Sequence, residues 1–373
     1  MTAQLKENDI HPQHSLSWIA GVKAVFKLEM KQRLRARSWY IVLGIWFALL
    51  GLIFVLAAVT TASMNAEGEG GPILFELVIG TVLLFGLLVA PGLSATAING
   101  DRAAGTLAII QITLLTPGQV LWGKWLTAWA AALAFLVISL PFIVWALIVG
   151  GVSFSETLVS LVMLAVELGL VAAIGVGVSA IAARPLFSIV ITYMLVALLS
   201  IGTLIGFGLS MVLVQEEAEV TTANYSLPDD FDSMAEPKDE DFTCTTETYR
   251  QPVLHTERTA WLLAANPFVI VADSVPYNRV SEEDSGTAED YRVPGVMESV
   301  SLGLRTAQAG PDFEQTCEEL SGPYAQSPPP TGLMPIWPLG LALQALLAGA
   351  LILIGWKRLA TPAGRLPRGT RIA

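Results

Sequence analysis

The stretch NGDRAAGTLAIIQITLLTPGQVLWGK, residues 99–124, lies between two long apolar segments and is charged only at Asp101, Arg102 and Lys124. Helices in bundles are usually joined by about 2–8 residues, so this connection is long enough to hold an ordered element. We predict a short helix over residues 105–114, followed by a turn at Thr116-Pro117-Gly118, because Pro and Gly favour turns. Such an element offers a soluble partner a place to act on one face of a membrane protein.

The chain around this stretch has the composition of a polytopic membrane protein. Hydrophobic residues make up 53% of the 373 residues and charged residues 14%, with a mean hydropathy of +0.60. About 20 apolar residues cross the hydrocarbon core as a helix. Six charge-poor runs reach that length, at residues 40–61, 74–98, 124–149, 156–182, 186–214 and 334–356. The predicted fold class is therefore an all-α polytopic membrane protein with six transmembrane helices.

Lysine and arginine residues predict the orientation, because they concentrate in cytoplasmic segments. They cluster before the first span and after the last, whereas the loops at 62–73 and 150–155 contain neither. Both termini are therefore expected in the cytoplasm. The predicted units are a cytoplasmic tail and interface helix (1–38), spans one to five (39–214), an acidic extracytoplasmic cap (215–333), the sixth span (334–356) and a basic cytoplasmic tail (357–373).

An amphipathic helix is predicted before the first span, after a tail over residues 1–14. Apolar and basic residues recur at spacings of three and four, which is typical of a helix with one apolar face. The apolar positions are Ile19, Val22, Phe26, Met30 and Leu34, and the basic ones are Lys23, Lys27, Lys31 and Arg35. We interpret it as an elbow helix lying in the headgroup plane. A simple positive-inside anchor is the alternative, but it does not explain the apolar stripe.

The predicted cap carries 23 of the 32 acidic residues and both cysteines of the chain, Cys244 and Cys317. Two thiols confined to an oxidising face favour one disulfide; two free thiols are the alternative. Within the cap, the apolar run at 261–271 is broken at Asn266-Pro267 and is too short to span. We interpret it as a helix or re-entrant piece on the outer leaflet or packed over the bundle. The flanks at 228–247 and 278–295 have loop compositions, so the cap is expected to be small and partly ordered.

Glu167 is the only charged residue between Glu156 and Arg184, near the middle of the fourth predicted span. An ionisable residue within the membrane is costly and by default suggests a function. It could line a pathway or bond to a neighbour such as Thr203 or Gln344. A protonated or hydrogen-bonded structural role is the alternative. Glu167 alone does not supply the catalytic set that an intramembrane enzyme needs.

No catalytic or metal-binding constellation is predicted. The three histidines lack a metal-binding spacing, and Asp229, Asp230 and Asp232 are interpreted as a solvated acidic run. Residues 118–125 resemble a phosphate-binding loop, but Trp125 stands where Ser or Thr would hold Mg²⁺. Lys124 is instead interpreted as snorkelling to the interface. We expect no cofactor, no metal and no nucleic-acid partner for this chain.

Taken together, these features resemble the permease subunit of a bacterial type-2 ABC exporter. In that family the first cytoplasmic loop has an acidic-Arg-acidic triplet, Gly-Thr-Leu, a short helix, Thr-Pro, and Gly-Lys at the next span. The residues at the corresponding positions here are Asp101, Arg102, Ala103, Gly105, Thr106, Leu107, Thr116, Pro117, Gly123 and Lys124. Ala103 departs from the pattern because it lacks the second acidic side chain. The run Asn266-Pro267-Phe268 before the last span also resembles a feature of many members.

The resemblance implies that residues 99–123 form a coupling loop seated on a separate ABC ATPase subunit, which would bind the ATP and Mg. A second permease chain, identical or homologous, would complete the pathway among membrane lipids. The expected function is export of a lipid-like or amphiphilic substrate across the bacterial plasma membrane, without enzymatic activity in this chain. The alternative is a membrane scaffold or assembly factor that binds envelope proteins through the acidic outer segment.

Overall fold

The computed structural model describes residues 17–63, 70–106, 115–227, 242–277, 295–317 and 333–360. Within these ranges, six helices are long and apolar enough to cross a membrane. They are Arg37–Ser63, Gly70–Ala103, Pro117–Val149, Phe154–Ile181, Pro185–Leu213 and Trp337–Leu359. The six predicted spans are confirmed as apolar helices, and the chain is a multi-pass membrane protein.

The elements are numbered in chain order. The helices before the sheet are α1 (Trp18–Arg35), α2 (Arg37–Ser63), α3 (Gly70–Ser94), α4 (Asn99–Ala103), α5 (Pro117–Val149), α6 (Phe154–Ile181) and α7 (Pro185–Leu213). Helix α7 contains a π-helical turn at Leu198–Gly202. Strands β1 (Gln215–Ser226) and β2 (Thr243–Leu254) follow, and then α8 (Pro267–Ser274), α9 (Val296–Ala309) and α10 (Trp337–Leu359).

Helix α6 lies at the centre of the bundle, packed against α3, α5 and α10. Glycines allow the close approach to α10. A Cβ on Gly177 would lie 2.7 Å from Leu351 Cβ, and one on Gly355 would lie 2.6 Å from Ala180 Cβ. Membrane helices associate through such small residues, because lipid tails are as apolar as a protein core. The α6–α10 pair is therefore fixed by backbone proximity.

Helix α5 begins at Pro117, earlier than the predicted start at residue 124, and the predicted turn at Thr116-Pro117-Gly118 is wrong. Thr116 is the N-cap residue: its Oγ1 accepts from the Gln119 backbone N at 3.4 Å. In return, Gln119 Oε1 accepts from the Thr116 backbone N at 2.8 Å. This capping box, with Pro at the first helical position, starts a helix where a turn was expected.

The two strands after α7 form an antiparallel sheet, so the all-α prediction is wrong for this part of the chain. Gln215 pairs with Leu254 and Ser226 with Thr243, which fixes the register along both strands. The strands are rich in Thr, a residue that suits a pleated and partly exposed surface. The loop predicted over 228–247 is thus wrong at its end, since residues 243–247 belong to β2.

The apolar run at 261–271 packs against the bundle, which is one of the two placements predicted for it. A 3-10 turn at Ala260–Leu263 precedes α8, which is buried against α6, α9 and α10. Asn266 separates the two pieces: its Oδ1 caps α8 by accepting from Phe268 N at 2.9 Å. Its Nδ2 donates to Ser200 O in the π turn of α7 at 2.6 Å. π turns free a backbone carbonyl in this way.

Several predictions fall outside the described residues. They concern the two terminal tails (1–14 and the end of 357–373), the acidic run at Asp229, Asp230 and Asp232, most of the loop at 278–295, and Leu107 with the remainder of the helix predicted over 105–114.

Candidate functional site

Lys124 lies at the centre of a buried charge cluster near the start of α5. Its Nζ is 2.5 Å from Glu29 Oε1 of α1 and 2.7 Å from Asp101 Oδ2 of α4. The Lys124 side chain is 2% exposed, and those of Glu29 and Asp101 are 23% and 29% exposed. The interpretation that Lys124 snorkels to the interface is therefore wrong. A buried ammonium must be paired, and two carboxylates fill that need here.

Helix α1 reaches α5 through two glycine contacts. Gly21 lies against the Gln119 side chain, whose Nε2 donates to the Ser17 and Trp18 carbonyls at 3.4 Å each. Gly123 lies against Val25: a Cβ at this position would be 2.6 Å from Val25 Cβ and 3.1 Å from Val22 O. A side chain at either position would separate the helices. Gly123 is thus required by the close approach of α1, one residue before the charge cluster.

Helix α1 is only partly the predicted amphipathic helix. Val22 and Val25 are buried against α5, and Lys23, Lys27 and Lys31 are exposed. Phe26 is half-buried, whereas Ile19 is 61% exposed, so the apolar stripe is split between protein contact and open surface. Arg33 donates from Nη2 to Leu93 O at the end of α3. The guanidinium is partly buried there, and the loss of hydration lowers its pKa. The position of α1 in the headgroup plane stays a prediction.

The chain after α4 leaves the helical conformation at Gly105, whose φ is 76°. The predicted helix over 105–114 therefore does not include Gly105; instead, this glycine follows the C-cap of α4, where a left-handed residue ends a helix. Thr106 is exposed and donates from Oγ1 to Asp101 O at 3.2 Å. Asp101 thus contacts Lys124 through its carboxylate and Thr106 through its backbone carbonyl.

Two arginines converge on the C-terminal end of α6. Arg102 Nη1 donates to Ala182 O at 3.3 Å, and Arg358 Nη1 donates to Ile181 O at 2.8 Å. The two guanidinium groups are close enough to repel each other. The negative end of the helix dipole offsets part of that repulsion. This end of the bundle therefore presents concentrated positive charge beside residues 99–106.

Glu29 is the site residue that the sequence reasoning missed. It is the only acidic residue in a helix that otherwise carries Lys and Arg. That isolation was the available signal, since a lone carboxylate on a basic helix often has a specific partner. Its partner could not be named, because Lys124 lies 95 residues away in sequence. In contrast, Asp101 and Lys124 were both predicted site residues, and the structure joins them.

The predicted intramembrane residues are brought together in part. Glu167 is fully buried beside the Gln344 amide, but neither carboxylate oxygen makes a well-formed hydrogen bond among the described residues. Gln344 Nε2 donates to Ala265 O at 3.0 Å. Thr203 contacts Asn266 instead, accepting from its Nδ2 at 2.9 Å. These polar groups surround the break before α8, and a pathway role for them stays a prediction.

The outer segment is joined by the predicted disulfide. Cys244 of β2 is bonded to Cys317, with 6.0 Å between the Cα atoms. The chain just before Cys317 runs along β1: Thr221 N donates to Phe313 O, and Gln315 N donates to Thr221 O, both at 2.9 Å. At the base of the sheet, Arg258 donates to Glu216 at 2.7 Å, which lowers the pKa of that exposed carboxyl.

Asp273 connects this segment to the last span. Its Oδ1 accepts from Arg305 Nη2 of α9 at 3.0 Å, and its Oδ2 accepts from the Ile336 and Trp337 backbone N atoms at 2.7 and 3.1 Å. A carboxylate at the first turn of α10 also interacts favourably with the helix dipole. Helices α8, α9 and α10 therefore meet at one buried carboxylate.

Within the part of the chain that the structure describes, no group of three or more His, Cys, Asp or Glu side chains is placed to hold a metal ion. No protein-family model matches the chain, and no curated protein matches it either. The α1–α4–α5 junction therefore has to be interpreted from its own geometry. It fixes the basic helix α1, the start of α5 and the end of α4 to one another.

Proposed function

We propose that this chain is the membrane-spanning permease subunit of an ABC transporter of the type-2 exporter kind. In this proposal, residues 99–116 contact a separate ATPase subunit that binds ATP and Mg, and this chain hydrolyses no nucleotide. The substrate class is lipid-like or amphiphilic, and a second permease chain, identical or homologous, completes the pathway. The membrane is the bacterial plasma membrane, with both termini in the cytoplasm.

The observation that carries the proposal is the cluster of Lys124 with Glu29 and Asp101. A loop that only connected two spans would need no buried lysine whose two ion pairs join α1, α4 and α5. Here Asp101 of α4, at the beginning of residues 99–116, is joined to α5 through Lys124, which also pairs with Glu29 of α1. Force applied to that segment would reach both helices, because packed helices and buried ion pairs move together and do not deform continuously.

The charge at the end of the bundle supports the same proposal. Arg102 and Arg358 lie at the C-terminal end of α6, and Lys23, Lys27 and Lys31 are exposed on α1. Positive charge of this kind is expected on a cytoplasmic face, and it favours an acidic surface on the partner. The disulfide on the far side of the bundle agrees with an extracytoplasmic location for 215–333.

The proposal is tested by purifying the tagged chain from its native membrane and identifying the proteins that remain bound. We expect an ABC ATPase in stoichiometric amount and ATP hydrolysis by the complex. We expect no hydrolysis by the chain alone in lipid. Hydrolysis by the isolated chain would contradict the proposal.

The scaffold alternative gives a different result in the same experiment. Envelope proteins would be recovered through 215–333 and no ATPase would be present. A variant lacking residues 228–241, between the paired strands, separates the two: it keeps the ATPase under the transport proposal and loses the recovered proteins under the scaffold alternative.

A further inference from the structure

A groove of about 150 Å³ opens on the bundle surface between α5, α6 and α10. Its lining is apolar and consists of Leu121, Trp122, Trp125, Ala173, Ala348, Gly349 and Ile352. The small residues on α6 and α10 make the concavity. At Gly349, a Cβ would have no atom within 4 Å, so the space in front of this residue is open.

On the α5 side the groove is lined by Trp122 and Trp125, and Trp129 stacks on Trp125. Trp125 and Trp129 are stacked with ring centres 5.4 Å apart, and Trp122 meets Trp125 edge-on at 5.0 Å. Trp125 Nε1 donates to Gly169 O at 2.9 Å, and Trp129 Nε1 donates to Ala165 O at 2.8 Å. Because both indoles are anchored to α6, the groove exists before any ligand enters it.

The groove lies close to one end of the bundle. Trp122 is near the start of α5 at Pro117, and Ile352 is in the second half of α10, which ends at Leu359. From Trp125 to Gly118 the helix rises about 10 Å, at about 1.5 Å per residue. That length lies within one leaflet, since the whole hydrocarbon core is about 30 Å thick.

The open end of the groove carries hydrogen-bond donors and positive charge. The Nε1 atoms of Trp356 and Trp18 lie 3.8 and 4.0 Å from the position that a Cβ would take on Gly118. Neither indole N–H has an acceptor among the described residues, and the two side chains are 48% and 52% exposed. Lys357 and Arg358 follow Trp356 in the last turn of α10.

The apolar groove and its open end at Trp18 and Trp356 suit different parts of one amphiphilic molecule. The apolar groove fits a hydrocarbon chain, and the indole N–H groups with the adjacent cations fit an anionic oxygen group at the interface. Tryptophans scattered in a membrane belt need no groove beneath them. Here the belt residues stand at the mouth of a preformed apolar groove.

We propose that this groove binds one acyl chain of an anionic phospholipid from the leaflet beside residues 99–106, with the lipid phosphate held at Trp18, Trp356 and the end of α10. The site lies on the lipid-facing side of α5, α6 and α10. The lipid-binding proposal depends on the membrane-spanning architecture and on no transport activity. A negative lipid-binding result would therefore leave the permease proposal standing, and the reverse also holds.

The test is a lipid titration of the delipidated full chain in detergent, followed by native mass spectrometry. The probes are phosphatidylglycerol, phosphatidylcholine with the same acyl chains, and free oleate. Gly349→Leu fills the groove. Gly44→Leu is the matched control, because Gly44 of α2 also has no atom within 4 Å of a Cβ. The Trp18→Phe/Trp356→Phe double variant keeps an aromatic ring at each position and removes both N–H donors.

We expect the first phosphatidylglycerol to bind the wild type at least tenfold more tightly than it binds Gly349→Leu, with Gly44→Leu unchanged. Phosphatidylcholine and oleate should bind the wild type more weakly. The double Phe variant should lose several-fold affinity for phosphatidylglycerol, because the phosphate loses two hydrogen-bond donors. Three results would overturn the proposal: equal binding by the wild type and Gly349→Leu, equal binding of oleate and phosphatidylglycerol, or a wild-type dimer that Gly349→Leu dissociates, which would assign the groove to a second copy.

Discussion

Lys124 connects parts of the chain that are far apart in sequence, and its charge is what makes the connection. An ammonium that is 2% exposed would be strongly destabilising without partners. Glu29 and Asp101 supply two carboxylates within 2.7 Å, and both keep some contact with solvent. A neutral side chain of similar length at this position would leave two partly desolvated negative charges facing each other.

Lys124→Met is therefore expected to lower the free energy of unfolding by about 2 kcal/mol, less than a fully buried pair because the carboxylates are partly hydrated. Thermal melting of the purified chain measures the loss. Adding Glu29→Gln and Asp101→Asn to Lys124→Met should restore most of the stability, since no uncompensated charge remains. Lys27→Met, at an exposed lysine of α1, is the control and should change nothing. A triple variant as unstable as Lys124→Met would contradict this account of the cluster.

At the scale of elements, the attachment of α1 to α5 depends on backbone proximity. Gly21 leaves room for the Gln119 side chain and Gly123 for the Val25 side chain, so the two helices approach each other closely. Bulk added to a packed contact of this kind costs about 1–3 kcal/mol, because side chains or backbone must shift. The first turns of α5 are thereby packed against α1.

Gly123→Ala should weaken this attachment, because its Cβ would meet Val25 Cβ and the Val22 carbonyl. Limited trypsin digestion measures it, since Lys23, Lys27 and Lys31 become cleavable when α1 leaves α5. The matched control is Gly118→Ala in the same helix, where the nearest atom to a Cβ is 3.8 Å away. We expect faster cleavage for Gly123→Ala alone. Equal rates in both variants would show that the contact does not hold α1.

The elements differ in how far the sequence could predict them. The six spans were predictable because length and hydropathy decide them. The start of α5 was not, since Thr116-Pro117-Gly118 suits a turn or a helix N-terminus; Gln119, three residues after Thr116, was the signal for the helix. The β1–β2 pair was missed because β1 holds three acidic residues and only one Val and two Thr, so its strand signal is weak. Gly105, placed inside a predicted helix, ends α4 instead.

The candidate site was predictable in composition and not in geometry. Asp101, Arg102, Gly123 and Lys124 follow from the pattern of residues 99–124, but pattern alone does not give contacts between distant segments. The pairing with Glu29 and the fit of Gln119 against Gly21 depend on how α1 packs. Side-chain packing of that kind is decided by the tertiary structure, which local sequence signals do not contain.

At the scale of the whole molecule, the two ends of the bundle are stabilised by different means. The α1–α4–α5 end uses buried charge and glycine contacts, whereas the β1–β2 end uses a disulfide between residues separated by 73 positions. In the chain-entropy model a loop of that length gives about 4 kcal/mol, mainly by restricting the unfolded segment. The six spans need no such restraint, because the bilayer already orders them.

Cys244→Ser/Cys317→Ser should therefore loosen β1, β2 and residues 313–317 while leaving the spans intact. Amide hydrogen exchange followed by mass spectrometry measures both regions in one sample. We expect faster exchange in the strands, and unchanged exchange in α5 and α6 as the internal control. Unchanged exchange in the strands would mean that the disulfide does not stabilise the paired segment. Faster exchange in α6 would mean that the two ends of the bundle are not independent.

The central claim is that residues 99–116 contact a separate ATPase, and site-specific photo-crosslinking tests it most directly. A benzophenone amino acid replaces Ala104, which is exposed beside the charge cluster, or Phe154, which is 77% exposed at the opposite end of the bundle. After irradiation in native membranes, mass spectrometry identifies the adducts. We predict an adduct with an ABC ATPase from position 104 and none from position 154; the absence of that adduct at 104, or its equal yield at both positions, would contradict the account.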